Sequence, residues 1–242
     1  MSAQIGFIGL GNMGAPIAMN LLGAGFSLKV FNRTASKGEH LAEHGAQVAK
    51  SAADVAVPGG IVCTMLSDDA ALEEVCSGAK SFVKRLGEGG VHLSMSTISP
   101  TTARRLAEEH KTFGVTYVAA PVFGRPEAAV AAKLFVCIGG PEGAKKRVEP
   151  LLKAIGQGTF DFGEDPGAAN VVKLCGNFMV AATVEALAEM LVLGEKNGAL
   201  STCVSTRTMW TSSGICRSSP TGTSTPSLPT AMWMRRLWTT AR

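Results

Sequence analysis

The chain has 242 residues, 46% hydrophobic, 17% charged and 6% aromatic, enough for one large core or two smaller ones. The low charged fraction and 28 glycines exclude a coiled coil and a chain disordered throughout by its charge. The net charge of +4 is uneven: residues 1–197 hold 18 basic and 19 acidic side chains, so this body lacks the basic excess of a nucleic-acid binder.

Six cysteines (63, 76, 137, 175, 203 and 216) contain no Cys-x-x-Cys pair, so no metal site is expected and free thiols in a reducing compartment are. No charged residue precedes Lys29, which invites a signal-peptide or membrane-span reading. Six glycines, Pro16, Asn12 and Asn20 interrupt the stretch from Ile5 to Leu28, and no basic residue precedes it. The expectation is a soluble cytoplasmic protein.

In chain order, short β-branched runs alternate with helical segments, the pattern of a parallel sheet covered by helices. Ile5–Ile8 reads as a strand, Met13–Leu22 as a helix and Leu28–Phe31 as a second strand. Ser51 is placed to cap a short helix before the strand Ile61–Met65, and Asp68 and Asp69 open the next helix. Val91–Leu93 is a strand, and Ser99-Pro100 starts a helix that reaches Lys111. Tyr117–Ala119, Leu134–Ile138 and Thr159-Phe160 read as later strands, and 167–194 as one long helix. The fold class expected is α/β, a Rossmann-like, mostly parallel sheet with helices on both faces. The expected domains are a nucleotide-binding domain over 1–165, a long helix opening a truncated all-α domain over 166–200, and an irregular tail over 201–242.

That tail differs in kind. Residues 198–242 hold 18 Ser and Thr, all three tryptophans, five arginines and neither Lys, Asp nor Glu. Disorder is one reading; three tryptophans fit better with a shift of reading frame, which resequencing of the coding region tests.

Gly9-Leu10-Gly11-Asn12-Met13-Gly14 is Gly-x-Gly-x-x-Gly, directly after a strand and opening a helix. In that context the first glycine serves the turn, the second admits a pyrophosphate and the third lets helix and strand pack. The next strand ends in Phe31-Asn32-Arg33-Thr34, with no carboxylate to repel a ribose 2′-phosphate. Arg33 pairs with such a phosphate, with Asn32 and Thr34 as donors, or is a solvated surface arginine; the cofactor expected is NADP(H).

The chain resembles the β-hydroxyacid dehydrogenases, the family of 3-hydroxyisobutyrate dehydrogenase and its 6-phosphogluconate dehydrogenase-like relatives. The likeness rests on Gly9–Ala18, Asn32–Thr34, Met95-Ser96-Thr97-Ile98-Ser99-Pro100 and Gly167–Asn177. The resemblance implies reversible hydride transfer between NAD(P) and a small β-hydroxyacid or aldehyde acid. It implies Lys173 as the catalytic lysine, Asn177 as the substrate-orienting asparagine, and Thr97 with Ser96 beside nicotinamide ribose and substrate. Met65, Leu66 and Ser67 match the loop that lines the cofactor. It also implies a homo-oligomer joined through a helical domain that in this chain stops soon after Gly198, and a later lysine near the cofactor that has no counterpart here.

The residues themselves agree on one pair. Lys173 and Asn177 share a helix face, and Lys173 is the only basic residue between Lys153 and Lys196. Burial would depress its pKa and fit it for proton exchange with an alcohol; otherwise it snorkels from an amphipathic helix. One loop departs from the family pattern, which reads roughly Asp-x-Pro-Val-Ser-Gly-Gly. Here it is Ala119-Ala120-Pro121-Val122-Phe123-Gly124-Arg125, so Phe123 removes a hydroxyl, while Arg125 either clamps a carboxylate or faces solvent. Phe123, Gly124 and Arg125 are the expected substrate loop. His40 with His44, and Glu185 with Glu189, share helix faces and read as solvated surface pairs.

The expected partner is a small-molecule substrate, with neither nucleic acid nor membrane. Two further readings accompany the dehydrogenase: an imine reductase-like enzyme, and an NADP-binding protein without turnover.

Overall fold

The computed structural model describes residues 4–78 and 81–198. The strand-helix alternation builds β1 (Ile5–Ile8), α1 (Gly14–Gly23), β2 (Leu28–Phe31), α2 (Glu39–Glu43), β3 (Gln47–Val48) and β4 (Ile61–Thr64). It continues with α3 (Asp69–Cys76), α4 (Phe82–Leu86), β5 (Val91–Ser94), α5 (Pro100–Lys111) and β6 (Thr116–Ala119). These six strands form one parallel sheet in the order β3-β2-β1-β4-β5-β6.

Alternation along β1 explains the layering. Ile5 and Phe7 face a core shared with Ile17 and Leu21 of α1, whereas Ile8 faces Leu72, Phe82 and Leu106 of α3, α4 and α5. Asp68 caps α3 by accepting the Ala71 amide at 2.8 Å, and Ser99 caps α5 by accepting the Thr102 amide at 3.1 Å. Ser51 does not cap a helix: its hydroxyl donates to Asp54 at 2.7 Å, and only a single 3-10 turn, Ala53–Val55, follows. A carboxylate three residues on outcompetes the backbone amide.

After β6 come β7 (Val122–Phe123), α6 (Pro126–Val130), β8 (Leu134–Ile138), α7 (Glu142–Ile155), β9 (Gly156–Asp161) and α8 (Pro166–Lys196). Strands β7, β8 and β9 make a second, mixed sheet. Helix α7 is absent from the sequence reading although Val148, Leu151, Leu152 and Ile155 bury one face, because Pro150 interrupts its interior. One compact unit runs through Val184 and includes the first part of α8. The second begins at Glu185, where the described residues are the end of α8 and the turn at 197–198. The tail expected over 201–242 lies outside the described residues. By length and composition α8 could cross a membrane.

Within the α3–α5 core a polar chain is fully paired. His110 Nδ1 must donate to the Leu106 carbonyl at 2.6 Å, so its Nε2 accepts from His92 Nδ1 at 2.9 Å. His92 Nε2 then accepts from Thr64 Oγ1 at 2.9 Å. Burial pushes His92 well below the usual imidazole range and His110 down to about 4. The unfolded chain therefore binds more protons than the native one between the ordinary 6.5 and about 4. Stability is full above that window and is lost as pH falls through it, by roughly 3 kcal/mol for His110 alone. Thermal melts from pH 7.5 to 4 will show this decline, and His110→Leu will make it shallower, with His92 carrying the remainder.

Candidate active site

In this strand order the chain's progression across the parallel sheet reverses between β1 and β4, and loops there diverge to leave a crevice at the strands' C-terminal ends. The crevice is a cleft of about 320 Å3 lined by the Gly9–Gly11 turn, Phe31–Thr34 and Met65–Ser67. Gly9 takes φ +97°, and a side chain there would run into the Met65 carbonyl. A methyl on Gly14 would overlap the Gly9 carbonyl, so α1 can approach the turn only without one. At Gly11 a Cβ would meet no atom within 4 Å. The turn is thus closed at its first and third glycines and open at the second, beside helix-start amides that lack intrahelical acceptors. That open backbone, with Asn12 and Met13 at the start of α1, fits a dinucleotide pyrophosphate.

Asn32 has a different task from the one its position suggests. Its Oδ1 accepts the Leu10 amide at 2.9 Å and its Nδ2 donates to the Thr34 carbonyl at 3.0 Å. The carboxamide ties the end of β2 to the glycine turn. Arg33 and Thr34 are exposed at the cleft, and Arg33 forms no ion pair among the described residues. Lys37 lines the same cleft. It was missed because it follows in a short 3-10 turn; its spacing of four from Arg33 was the available signal.

Ser96 is also structural. It is 1% exposed, and its hydroxyl oxygen accepts the Leu66 amide at 2.9 Å, bracing the β4 loop against the β5 loop. Thr97 next to it is half-buried, and the amide of Ile98 donates to Asn170 Oδ1 at 3.4 Å. Asn170 on α8 is fully buried, and Arg104 of α5 holds Asp165, just before α8, through both carboxylate oxygens. The start of α8 is therefore fixed against the β5 loop.

Lys173 follows Asn170 by one turn. It is 8% exposed, and its Nζ lies 4.1 Å from the centre of the Phe123 ring. Desolvation holds its pKa below the ordinary lysine value, opposed by the nearby Cys137 thiol. Asn177, a turn further on, is exposed. Phe123 in turn packs on Gly176, where any side chain would strike the ring. Gly124 and Arg125 are exposed, and Arg125 forms no ion pair among the described residues. Among the described residues two clusters group metal-type donors, His40/Glu43/His44 on the surface and Cys76/His92/His110 inside. In the buried one every imidazole nitrogen is already engaged in the hydrogen-bonded chain.

The family model described as the NAD binding domain of 6-phosphogluconate dehydrogenase matches residues 4–176. An uncharacterized oxidoreductase, YfjR, of Bacillus subtilis is 44% identical over 81% of this chain and 68% of its own length. The NAD-dependent L-serine dehydrogenase of Pseudomonas aeruginosa is 37% identical over 81% of this chain and 65% of its own. The solved 3-hydroxyisobutyrate dehydrogenase of Mycobacterium tuberculosis, with L-serine, superposes at TM-score 0.76 and 32% identity over 82% of this chain and 67% of that one. An imine reductase of Streptomyces aurantiacus gives 0.73 and 25% over 81% and 68%. The chain thus spans about two thirds of the length of the relatives it matches.

Replacing Asn32 by Ala leaves the Leu10 amide without its acceptor. The expected loss is about 1–2 kcal/mol in denaturant unfolding, together with weaker dinucleotide binding by fluorescence titration.

Proposed function

The chain belongs to the β-hydroxyacid dehydrogenase family of nicotinamide-dependent oxidoreductases, and from that premise we propose that it transfers hydride between NADP(H) and a small β-hydroxyacid or aldehyde acid. The observation that carries this reading is the Lys173 amine, held out of water in the same compact unit as the open glycine turn.

Bound nicotinamide supplies the hydride acceptor or donor. Lys173 Nζ, its pKa depressed, takes the substrate hydroxyl proton in the oxidative direction and returns it to the carbonyl oxygen in reduction. Asn177, on the same helix face, orients the substrate, and Thr97 borders it from the β5 loop. Leu10–Gly14 hold the pyrophosphate, with Met65, Leu66 and Ser67 forming the wall opposite β2. Arg33 and Lys37 meet the ribose phosphate, which supports NADP(H) over NAD(H). The lysine supports an alcohol or aldehyde substrate over an imine, since it provides the proton exchange that a hydroxyl requires. We place the enzyme in the cytoplasm, as a homo-oligomer: Phe178, Met179, Val180 and Val184 of α8 are each more than 60% exposed, and so much bare apolar surface around the helix favours burial against a second copy.

Three measurements check these readings. Arg33→Ala will reduce the preference for NADPH over NADH by about tenfold to a hundredfold in fluorescence titration, the value of one charged hydrogen bond. Lys173→Ala will abolish NADPH oxidation with succinic semialdehyde or glyoxylate while leaving NADPH affinity nearly unchanged; normal turnover by the variant removes Lys173 from the reaction. Light scattering after size exclusion will show more than one copy per particle, and Phe178→Glu will reduce it to one.

A further inference from the structure

Lysine 173 lies out of water, yet no carboxylate forms an ion pair with it among the described residues. Its contact is an aromatic face. The Phe123 ring centre is 4.1 Å from Nζ, within the range where a cation is attracted by the ring quadrupole. The ring's position is fixed from two sides. Strand β7 pairs Phe123 antiparallel with Phe135 of β8, which sets where its side chain leaves the backbone. On α8, Gly176 gives the ring a seat: even one methyl there would collide with Cζ and Cε1. Gly176 and Lys173 are three residues apart and so neighbours on one helix face. One ring thus spans the bare backbone at 176 and the amine at 173.

We propose that Phe123 is the positioning residue for Lys173: seated on Gly176, its ring fixes the amine's place on α8 and keeps water from one side of it. This rests on Lys173 being the proton-exchanging group proposed above. The ring acts on the two protonation states in opposite ways. By excluding water it penalises the ammonium, and by presenting its negative face it stabilises the ammonium. Burial holds the Lys173 pKa below the ordinary lysine value, opposed by the Cys137 thiol on β8. A polar, open residue at 123 and an apolar, non-aromatic one therefore shift the lysine in opposite directions, which a merely space-filling side chain would not do.

The test is a 13C NMR titration of lysine side chains in the labelled full chain without cofactor, Lys173 being assigned with Lys173→Arg. Phe123→Ser admits water and is expected to move the Lys173 midpoint up towards the ordinary lysine value. Phe123→Leu keeps the site dry without the quadrupole and is expected to move it down, by about one pH unit. Phe123→Tyr is expected to restore the native midpoint, and Gly176→Ala, which unseats the ring without removing it, to shift it upward. Midpoints that stay at the native value in the Ser and Leu variants, or that move in the same direction in both, overturn the proposal. Should Phe123→Ser not fold, Gly176→Ala and Phe123→Leu decide the matter in the same way. The pH profile of NADPH oxidation in these variants separates the two readings. A Lys173 midpoint that shifts with no change in the kinetic profile leaves Phe123 as the positioning residue and overturns Lys173 as the proton carrier.

Discussion

An amine taken out of water, with no counter-charge paired to it among the described residues, is the constraint around which this site is built. Desolvation penalises the charged form of Lys173, and a neighbouring carboxylate would cancel that penalty by pairing with it. The chain supplies an aromatic face and a glycine instead. The result is a lysine whose burial favours the neutral amine more than water would, at the cost of requiring α8 to stay where it is. Asn170, buried and bonded to the Ile98 amide, and the two-pronged Arg104–Asp165 pair hold the beginning of that helix. Even the bare backbone at Gly167 belongs to this clamp, since a side chain there would displace the Arg104 guanidinium.

The nucleotide cleft follows a different logic, in which backbone shape comes first and charge second. Gly9 and Gly14 let the turn and the helix close on each other, and Gly11 leaves the remaining space open. Asn32 and Ser96 use their side chains on the frame, each accepting the backbone amide of a neighbouring loop. Their polar groups fix the loops so that Arg33, Thr34 and Thr97 can face outward. This division of labour is economical: a loop carrying a buried, unsatisfied amide would lose roughly what one good ligand contact contributes.

Phe123 links sequence departure and structure. Where the family pattern carries a serine, this chain carries a ring, and the ring finds Gly176 to rest on and Lys173 to cover. The substitution makes the wall beside the amine apolar and brings the loop against the long helix at Gly176.

Much of this was legible from residues alone. The Gly-x-Gly-x-x-Gly turn between a strand and a helix, the Ser99-Pro100 helix start, and Lys173 four residues before Asn177 are local patterns, and local patterns follow from backbone geometry and helical period. Helix α7 was hidden because Pro150 masks its period, β7 because two residues show no alternation, and α6 because five helical residues make little more than one turn. The roles of Asn32 and Ser96 could not be read either, since an amide and a hydroxyl look the same whether they face a ligand or a neighbouring loop. The sequence by itself determined the alternation, the glycine turn and the face shared by Lys173 and Asn177, because each depends on residues a few positions apart. Only the tertiary structure decided that the ring at 123 meets the amine at 173, or that the carboxamide at 32 closes on the amide at 10. Such contacts depend on how strands order themselves in a sheet, and that is settled by burial across the whole core.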